Sequence, residues 1–316
     1  MDDIIVARYQ DQMKDQWNEF VSKAKNGLFL FNRNFMDYHR DRFKDHSLVF
    51  WRDEKIVALL PANEKENVLV SHGGLTYGGF LFDNETKQHT ANECVDVLLN
   101  YSKEQNFQKI IYKPVPHMFH KQAAEEDLYA LFHRGGIMKE VYTSSVVNLR
   151  TPIKMLKGRR AQSNRAKREG VIVTLLENKE DYRKFIDLEN SVLESRHNAI
   201  ATHTAEELYL LHCNFPQQIR LYGAIYEGEL IAGAVIFVYD EAVHTQYLAA
   251  NETARIIGAL DYTISTLISE FEDSKFLFDF GNSTENHGQY LNEGLIYQKE
   301  GFGGRTNIYT TWEISL

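Results

Sequence analysis

Along residues 10–25, Met13, Trp17, Phe20, Val21 and Ala24 recur at helical spacing among polar neighbours, which predicts an amphipathic helix. The period then shortens to that of strands. Residues 47–51 and 56–60 are apolar runs on either side of Arg52-Asp53-Glu54-Lys55, a charged tetrad that closes a hairpin, and 67–71 continues the sheet. After the glycine-rich stretch Gly73-Gly74-Leu75-Thr76-Tyr77-Gly78-Gly79, residues 90–105 place Cys94, Val97, Leu98 and Tyr101 on one helical face, and a strand follows at 109–112.

The second half repeats this order. A helix is predicted over 181–195, strands over 221–226, 230–238 and 242–248, a helix over 258–271 and a strand over 276–280. Asp53 to Ala58 laid over Glu227 to Ala232 gives an offset of 174 residues, and the later strands around Ile110 and Leu277 give 167. The chain therefore reads as an internal duplication. Thr151-Pro152 opens the joining segment, with Thr as a helix cap and Pro at the first helical position.

Composition narrows the class without changing the fold. The chain has 316 residues, 43% hydrophobic and 25% charged, with 5 Pro and 19 Gly, so it is folded rather than low-complexity, and long enough for two domains. A net charge of -9 argues against a surface that is basic all over. The longest apolar run, 230–238, is nine residues against the roughly 20 of a membrane-spanning helix, so no insertion in a membrane is expected. Met1-Asp2-Asp3 lacks the basic start of a secretory signal, and the expectation is a cytoplasmic protein. Cys94 and Cys213 have no CxxC partner and read as small core residues in a reducing compartment. His117 and His120 have helical metal-ligand spacing but no third ligand at a predictable offset, so no metal is expected.

Two segments carry a family likeness. One is Lys157-Gly158-Arg159-Arg160 through Asn164, Ala166, Lys167, Arg168 and Gly170, followed by a strand. The other runs from Phe276-Leu277-Phe278-Asp279-Phe280-Gly281-Asn282 to Tyr297, Lys299, Phe302, Gly303 and Gly304. With the element order, they resemble the GNAT acyltransferase superfamily, and two such domains in tandem resemble its FemAB-like branch. The resemblance implies an α/β (α+β) fold of two GNAT-like domains, 1–150 and 151–316, each a mixed, mostly antiparallel sheet flanked by helices, the second carrying the site. It departs from the peptidoglycan-bridge enzymes in having no coiled-coil arm. The superfamily's pyrophosphate loop is met only in part, by Arg255-Ile256-Ile257-Gly258-Ala259-Leu260.

The activity so implied is acyl or aminoacyl transfer from acyl-CoA or aminoacyl-tRNA to an amine on a small molecule or peptide, by direct attack and without a metal. Such chemistry needs a held carbonyl, a route for the amine's proton and a surface for the donor's phosphates. Arg255 and Gly258, before a helix, would cradle the phosphates. Arg159, Arg160 and Asn164 match the family pattern inside a run with seven positive charges over residues 154–168, which would hold an anionic substrate or a tRNA end, or simply face water. His244 and Gln246, on one strand face, and Asp279, a charge at mid-strand, are candidates for the cleft. Arg196 and His197 would bind the acceptor or take its proton, or complement a helix dipole. Asn282, Tyr290 and Lys299 follow the last matched strand, where a loop would close over the site. A different class of protein with the same residues is a non-catalytic binding module for a nucleotide-linked or cell-wall-related ligand.

Overall fold

Asp53 and Glu54 have φ of 47° and 64°, and Glu227 and Gly228 have 52° and 84°. Two successive positive φ values suit the right-handed twist of a tight hairpin, and the two turns fall at the offset of 174 read from the sequence. The structure, a computed structural model, describes residues 3–197 and 199–316, apart from the side chains of 195–197. Contacts divide the chain into one unit ending at Tyr142, joined by Asn286–Gln289 and Ile308–Leu316, and a second of Thr143–Glu285 and Tyr290–Asn307.

The first unit contains β1 (Ile5–Arg8), α1 (Lys14–Lys23), α2 (Arg33–Met36), β2 (Lys44–Asp45), β3 (Leu48–Arg52), β4 (Lys55–Leu60), β5 (Asn63–Lys65), β6 (Val68–Val70), β7 (Leu81–Phe82), α3 (Gln88–Glu104), β8 (Lys109–Tyr112), α4 (Glu126–His133) and the start of β9 (Ile137–Asn148). β1, β3, β4 and β7 form one antiparallel sheet. Its core joins Phe50, Ala58, Phe80 and Phe82 to Ala91, Cys94, Val95 and Leu98 of α3 and to Ile110 and Tyr112 of β8. β6 runs parallel to β8, Val68–Val70 beside Lys109–Ile111. Beyond that pair the glycine-rich loop returns to the same gap. Ser71 N donates to Ile111 O at 2.9 Å, Gly78 N donates to Lys113 O at 2.7 Å, and Gly78 bridges Pro114. A Cβ on Gly78 would run into the Ser71 carbonyl, so this close return requires glycine.

The second unit contains α5 (Lys157–Arg168), β10 (Ile172–Leu176), α6 (Lys179–His197), α7 (Ala205–Asn214), β11 (Ile219–Tyr226), β12 (Glu229–Val238), β13 (Ala242–Ala250), α8 (Glu252–Ile257), α9 (Ala259–Phe271), β14 (Leu277–Asn282), β15 (Thr284–Glu285), β16 (Tyr290–Leu291), α10 (Glu293–Glu300) and the start of β17 (Arg305–Ser315). Its strands lie in the order β10, β11, β12, β13, β14, β9, antiparallel except that β13 and β14 run parallel. Ala234 and Ile236 of β12 pack with Ile264 and Leu267 of α9. A Cβ on Gly233, the position before Ala234 and of opposite facing in the pleat, would meet Phe185 of α6 at 2.9 Å. Alternation along the strand therefore puts α9 and α6 on opposite faces of the sheet.

Four local expectations are corrected. Thr151-Pro152 does not start a helix. Asn148 Oδ1 accepts from Arg150 N and Thr151 N, both at 3.0 Å, which holds a turn there, and α5 begins only at Lys157. The helix read over 258–271 is preceded by a separate short one, because Gly258 adopts φ 83° between α8 and α9. The alternation of β13 breaks at Gln246: Thr245 faces Ile236 and Tyr247 faces Val235, so Gln246 is a bulge and is not in simple register with His244. Cys213 is exposed, unlike the buried Cys94, since α7 turns Leu208, Leu211 and His212 inward and leaves the next position outside.

Candidate functional site

β13 and β14 pair only over Ala242–His244 and Leu277–Asp279. Beyond that point β13 continues along β12 to Ala250, while β14 turns at Gly281, φ 70°, so the two strands part. A cavity of about 420 Å³ opens where they diverge, walled by Leu248 and Ala250 of β13 and Phe280 of β14. Glu189, Val192 and Leu193 of α6 line it, and so do Leu260, Asp261 and Ile264 of α9. Helices from both faces reach one space because the sheet is open between them. Arg159, Arg255, Gly258, Leu295, Lys299 and Phe302 also line the cavity.

The apolar lining makes each polar group in it consequential. Arg159 Nη1 donates to Asp261 Oδ1 at 3.0 Å and Oδ2 at 3.2 Å. Burial raises the Asp261 pKa above the ordinary carboxylate value while Arg159 pulls the other way. Lys299 is buried, and its Nζ donates to Gly281 O at 2.8 Å, Asn282 O at 2.6 Å and Ser283 Oγ at 2.9 Å, which uses all three of its protons. Burial lowers its pKa to about 8, against the opposing pull of Asp279. Glu189 is only 7% exposed and its Oε2 has no hydrogen-bond partner. Burial alone lifts its carboxyl to about 7.

The sequence-derived candidates separate into those at the cavity and those away from it. Arg159, Arg255, Gly258 and Lys299 line it. Arg255 is exposed on α8, and a Cβ on Gly258 would stand 2.6 Å from Gln162 O, so this glycine also lets α9 pack against α5. His244 and Asp279 lie beneath, where β13 and β14 still pair: His244 Nδ1 is 2.5 Å from Asp279 Oδ2, and Ser144 Oγ donates to Asp279 Oδ1. Gln246 is half-buried on β13 and does not line the cavity. Arg160 and Asn164 sit on the exposed side of α5, whose buried positions are Ser163 and Ala166. Asn282 is exposed and folds back on Thr284, accepting from its N at 2.8 Å. Tyr290 is exposed on β16. The side chains of Arg196 and His197 lie outside the described residues. His120 Nε2 lies 2.9 Å from Val115 O, and among the described residues no three His, Cys, Asp or Glu side chains gather as a metal site would need.

Glu189 and Asp261 were missed in the sequence. The signal was available, because Tyr182, Phe185, Ile186, Glu189 and Leu193 fall on one stripe of α6, and Asp261, Ile264 and Leu267 on one stripe of α9. An acid within an apolar stripe is a buried acid unless the helix stands alone.

Residues 154–289, nearly all of them in the second unit, match the model of the acetyltransferase (GNAT) domain family. Over the whole chain the fold is that of tandem GNAT-like proteins. The structure of FemX superposes with a TM-score of 0.69 at 11% identity, covering 99% of this chain and 97% of that one. L-PGS from Bacillus licheniformis gives 0.65 at 13%, covering 98% and 92%. A tandem GNAT protein from the clavulanic acid biosynthesis pathway gives 0.53 at 10%, covering 99% and 98%. No curated protein matches by sequence. Among the described residues no helix is long and apolar enough to cross a membrane.

Proposed function

We propose that the second unit transfers an acyl or aminoacyl group from an activated donor to an amine by direct attack, in the cavity where β13 and β14 part. The observation that carries this reading is the opening itself. A parallel pair that separates after three residues leaves the end of β13 without a partner on that side, and the bulge at Gln246 re-aims its backbone at the same level. Main-chain N–H groups that β14 does not pair, beside an apolar cavity, suit a donor carbonyl and the charge that develops on its oxygen.

The donor is acyl-CoA or aminoacyl-tRNA, and the acceptor an amine on a small molecule or peptide. Arg255 stands at the cavity wall, beside the N-terminus of α9, for a donor phosphate. Asp261 already complements the dipole of that helix in its first turn, so the phosphate depends on Arg255 more than on the helix. The exposed basic face of α5, with Lys157, Arg160 and Lys167, offers a path for tRNA. An exposed free thiol at Cys213 suits the reducing cytoplasm.

The test presents the purified chain with labelled acetyl-CoA or alanyl-tRNA and a primary amine, and measures amide formed. One donor is expected to give amide, with a raised KM for that donor in Arg255→Ala. If alanyl-tRNA is the donor, its binding weakens with salt and again in Arg160→Ala. Saturable binding of either donor with no amide formed would favour the binding-module reading instead.

A further inference from the structure

Resting on that acyl-transfer reading, we infer that Glu189 of α6 takes the proton from the acceptor's ammonium group, so that the amine meets the donor carbonyl along the α6 wall of the cavity. Three observations place it there. Glu189 lines the cavity. It lies on the inward stripe of α6 with Phe185 and Ile186, and is more than nine-tenths buried. Its Oε2 has no hydrogen-bond partner. A buried carboxyl oxygen left unpaired destabilises the fold, a cost that persists in folded proteins mainly where the group has work to do.

The surrounding groups are otherwise engaged. Arg159 and Asp261 neutralise one another at the cavity wall, and Lys299 donates its three hydrogen bonds to the end of β14 and to Ser283. Arg255 stands at the rim on α8. On β13, Tyr247 is near enough to feel the Glu189 charge, and its hydroxyl lies 2.5 Å from His203 Nδ1. His244 is bonded to Asp279 beneath the cavity floor and does not line it. With burial as the cause of its raised pKa of about 7, Glu189 populates both protonation states near neutral pH, as a proton acceptor must.

The step balances as follows. The ammonium gives a proton to the Glu189 carboxylate, and the freed nitrogen lone pair forms a C–N bond to the donor carbonyl carbon. As the tetrahedral adduct collapses, the C–S bond of a thioester or C–O bond of an ester breaks. The leaving sulfur or oxygen takes the second nitrogen proton, and Glu189 releases the first to solvent.

The experiment compares wild type, Glu189→Gln and Glu189→Asp with acetyl-CoA and with alanyl-tRNA as donors and hexylamine as acceptor, across pH 5–9. In wild type, kcat is expected to rise with pH through about 7. Glu189→Gln should lower kcat by about 10²–10⁴-fold, leave KM for the donor unchanged and abolish that rise. Glu189→Asp should keep the rise at a reduced rate, and it also covers the case in which the Gln variant is poorly folded by thermal unfolding. A Gln variant within threefold of wild-type kcat, or one that keeps the acid limb, overturns the role of Glu189 while acyl transfer stands. A wild type that turns over neither donor overturns acyl transfer, and this role with it.

Discussion

His244 Nδ1 lies 2.5 Å from Asp279 Oδ2, joining β13 to β14 at the last residues where the two strands pair. Both side chains are buried, and Ser144 of β9 donates to the other carboxylate oxygen. Asp279 therefore ties three strands together directly below the point where the sheet opens.

Removing it should be felt there first. Asp279→Ala leaves His244 and Ser144 buried without their acceptor and is expected to cost at least about 2 kcal/mol in urea unfolding. Asp279→Asn, which can still accept from Ser144, should cost less. Equal stability in all three proteins would show that this network does not hold the junction.

Stability should also report the buried acid of the cavity. The Glu189 carboxyl titrates near 7 when folded, against an ordinary value of 4.5. The folded state thus holds the extra proton between those values, and the stability it contributes is lost as pH rises through them. Glu189→Gln is expected to match wild type at pH 4 and exceed it by on the order of 3 kcal/mol at pH 8, seen as a higher thermal midpoint. A constant difference across that range would mean that the carboxyl is not desolvated.

Lys299 should act in the opposite sense. Its pKa is lowered from 10.5 to about 8, so between those values the unfolded chain binds the proton that the folded chain has lost, and stability rises with pH. Lys299→Met should flatten the rise measured between pH 8 and 9.5, by up to about 1.4 kcal/mol per pH unit. An unchanged slope would place the titration elsewhere.

Gly258→Ala is expected to destabilise the second unit by about 2–4 kcal/mol, because the left-handed backbone and the 2.6 Å approach to Gln162 O both exclude a Cβ. Parting α5 from α9 also draws Arg159 from Asp261. Arg159→Ala should itself cost about 1–3 kcal/mol at neutral pH by leaving Asp261 buried alone, whereas Arg160→Ala, on the exposed side, should stay within about 0.5 kcal/mol.

Much of the fold was legible because short-range chemistry determines it. The hairpin turns at Asp53-Glu54 and Glu227-Gly228 and the later strands β8 and β14 fall at the spacings that the apolar runs gave, whereas the parallel pairing of β6 with β8 and of β13 with β14 came only from the structure. The helix break at Gly258 and the bulge at Gln246 were not legible, since each depends on a partner distant in sequence, α5 in one case and β12 in the other. At the site, charges were the visible signal and they proved ambiguous. Arg159 and Arg160 are adjacent in sequence, but only Arg159 turns to the cavity. Lys299 reaches it already saturated by two backbone carbonyls and the Ser283 hydroxyl. Glu189 was the quieter signal, an acid where periodicity called for an apolar residue.

The glycine-rich loop of the first unit bears on stoichiometry. Where the second unit parts its parallel strands and leaves a cavity, the first brings Gly78 back against Lys113 and Pro114 and caulks the equivalent seam with its own backbone. The seam that opens into the cavity in the second unit is thus closed in the first. A donor titrated against the protein should saturate at one equivalent per chain, with no weaker second phase from the sealed unit.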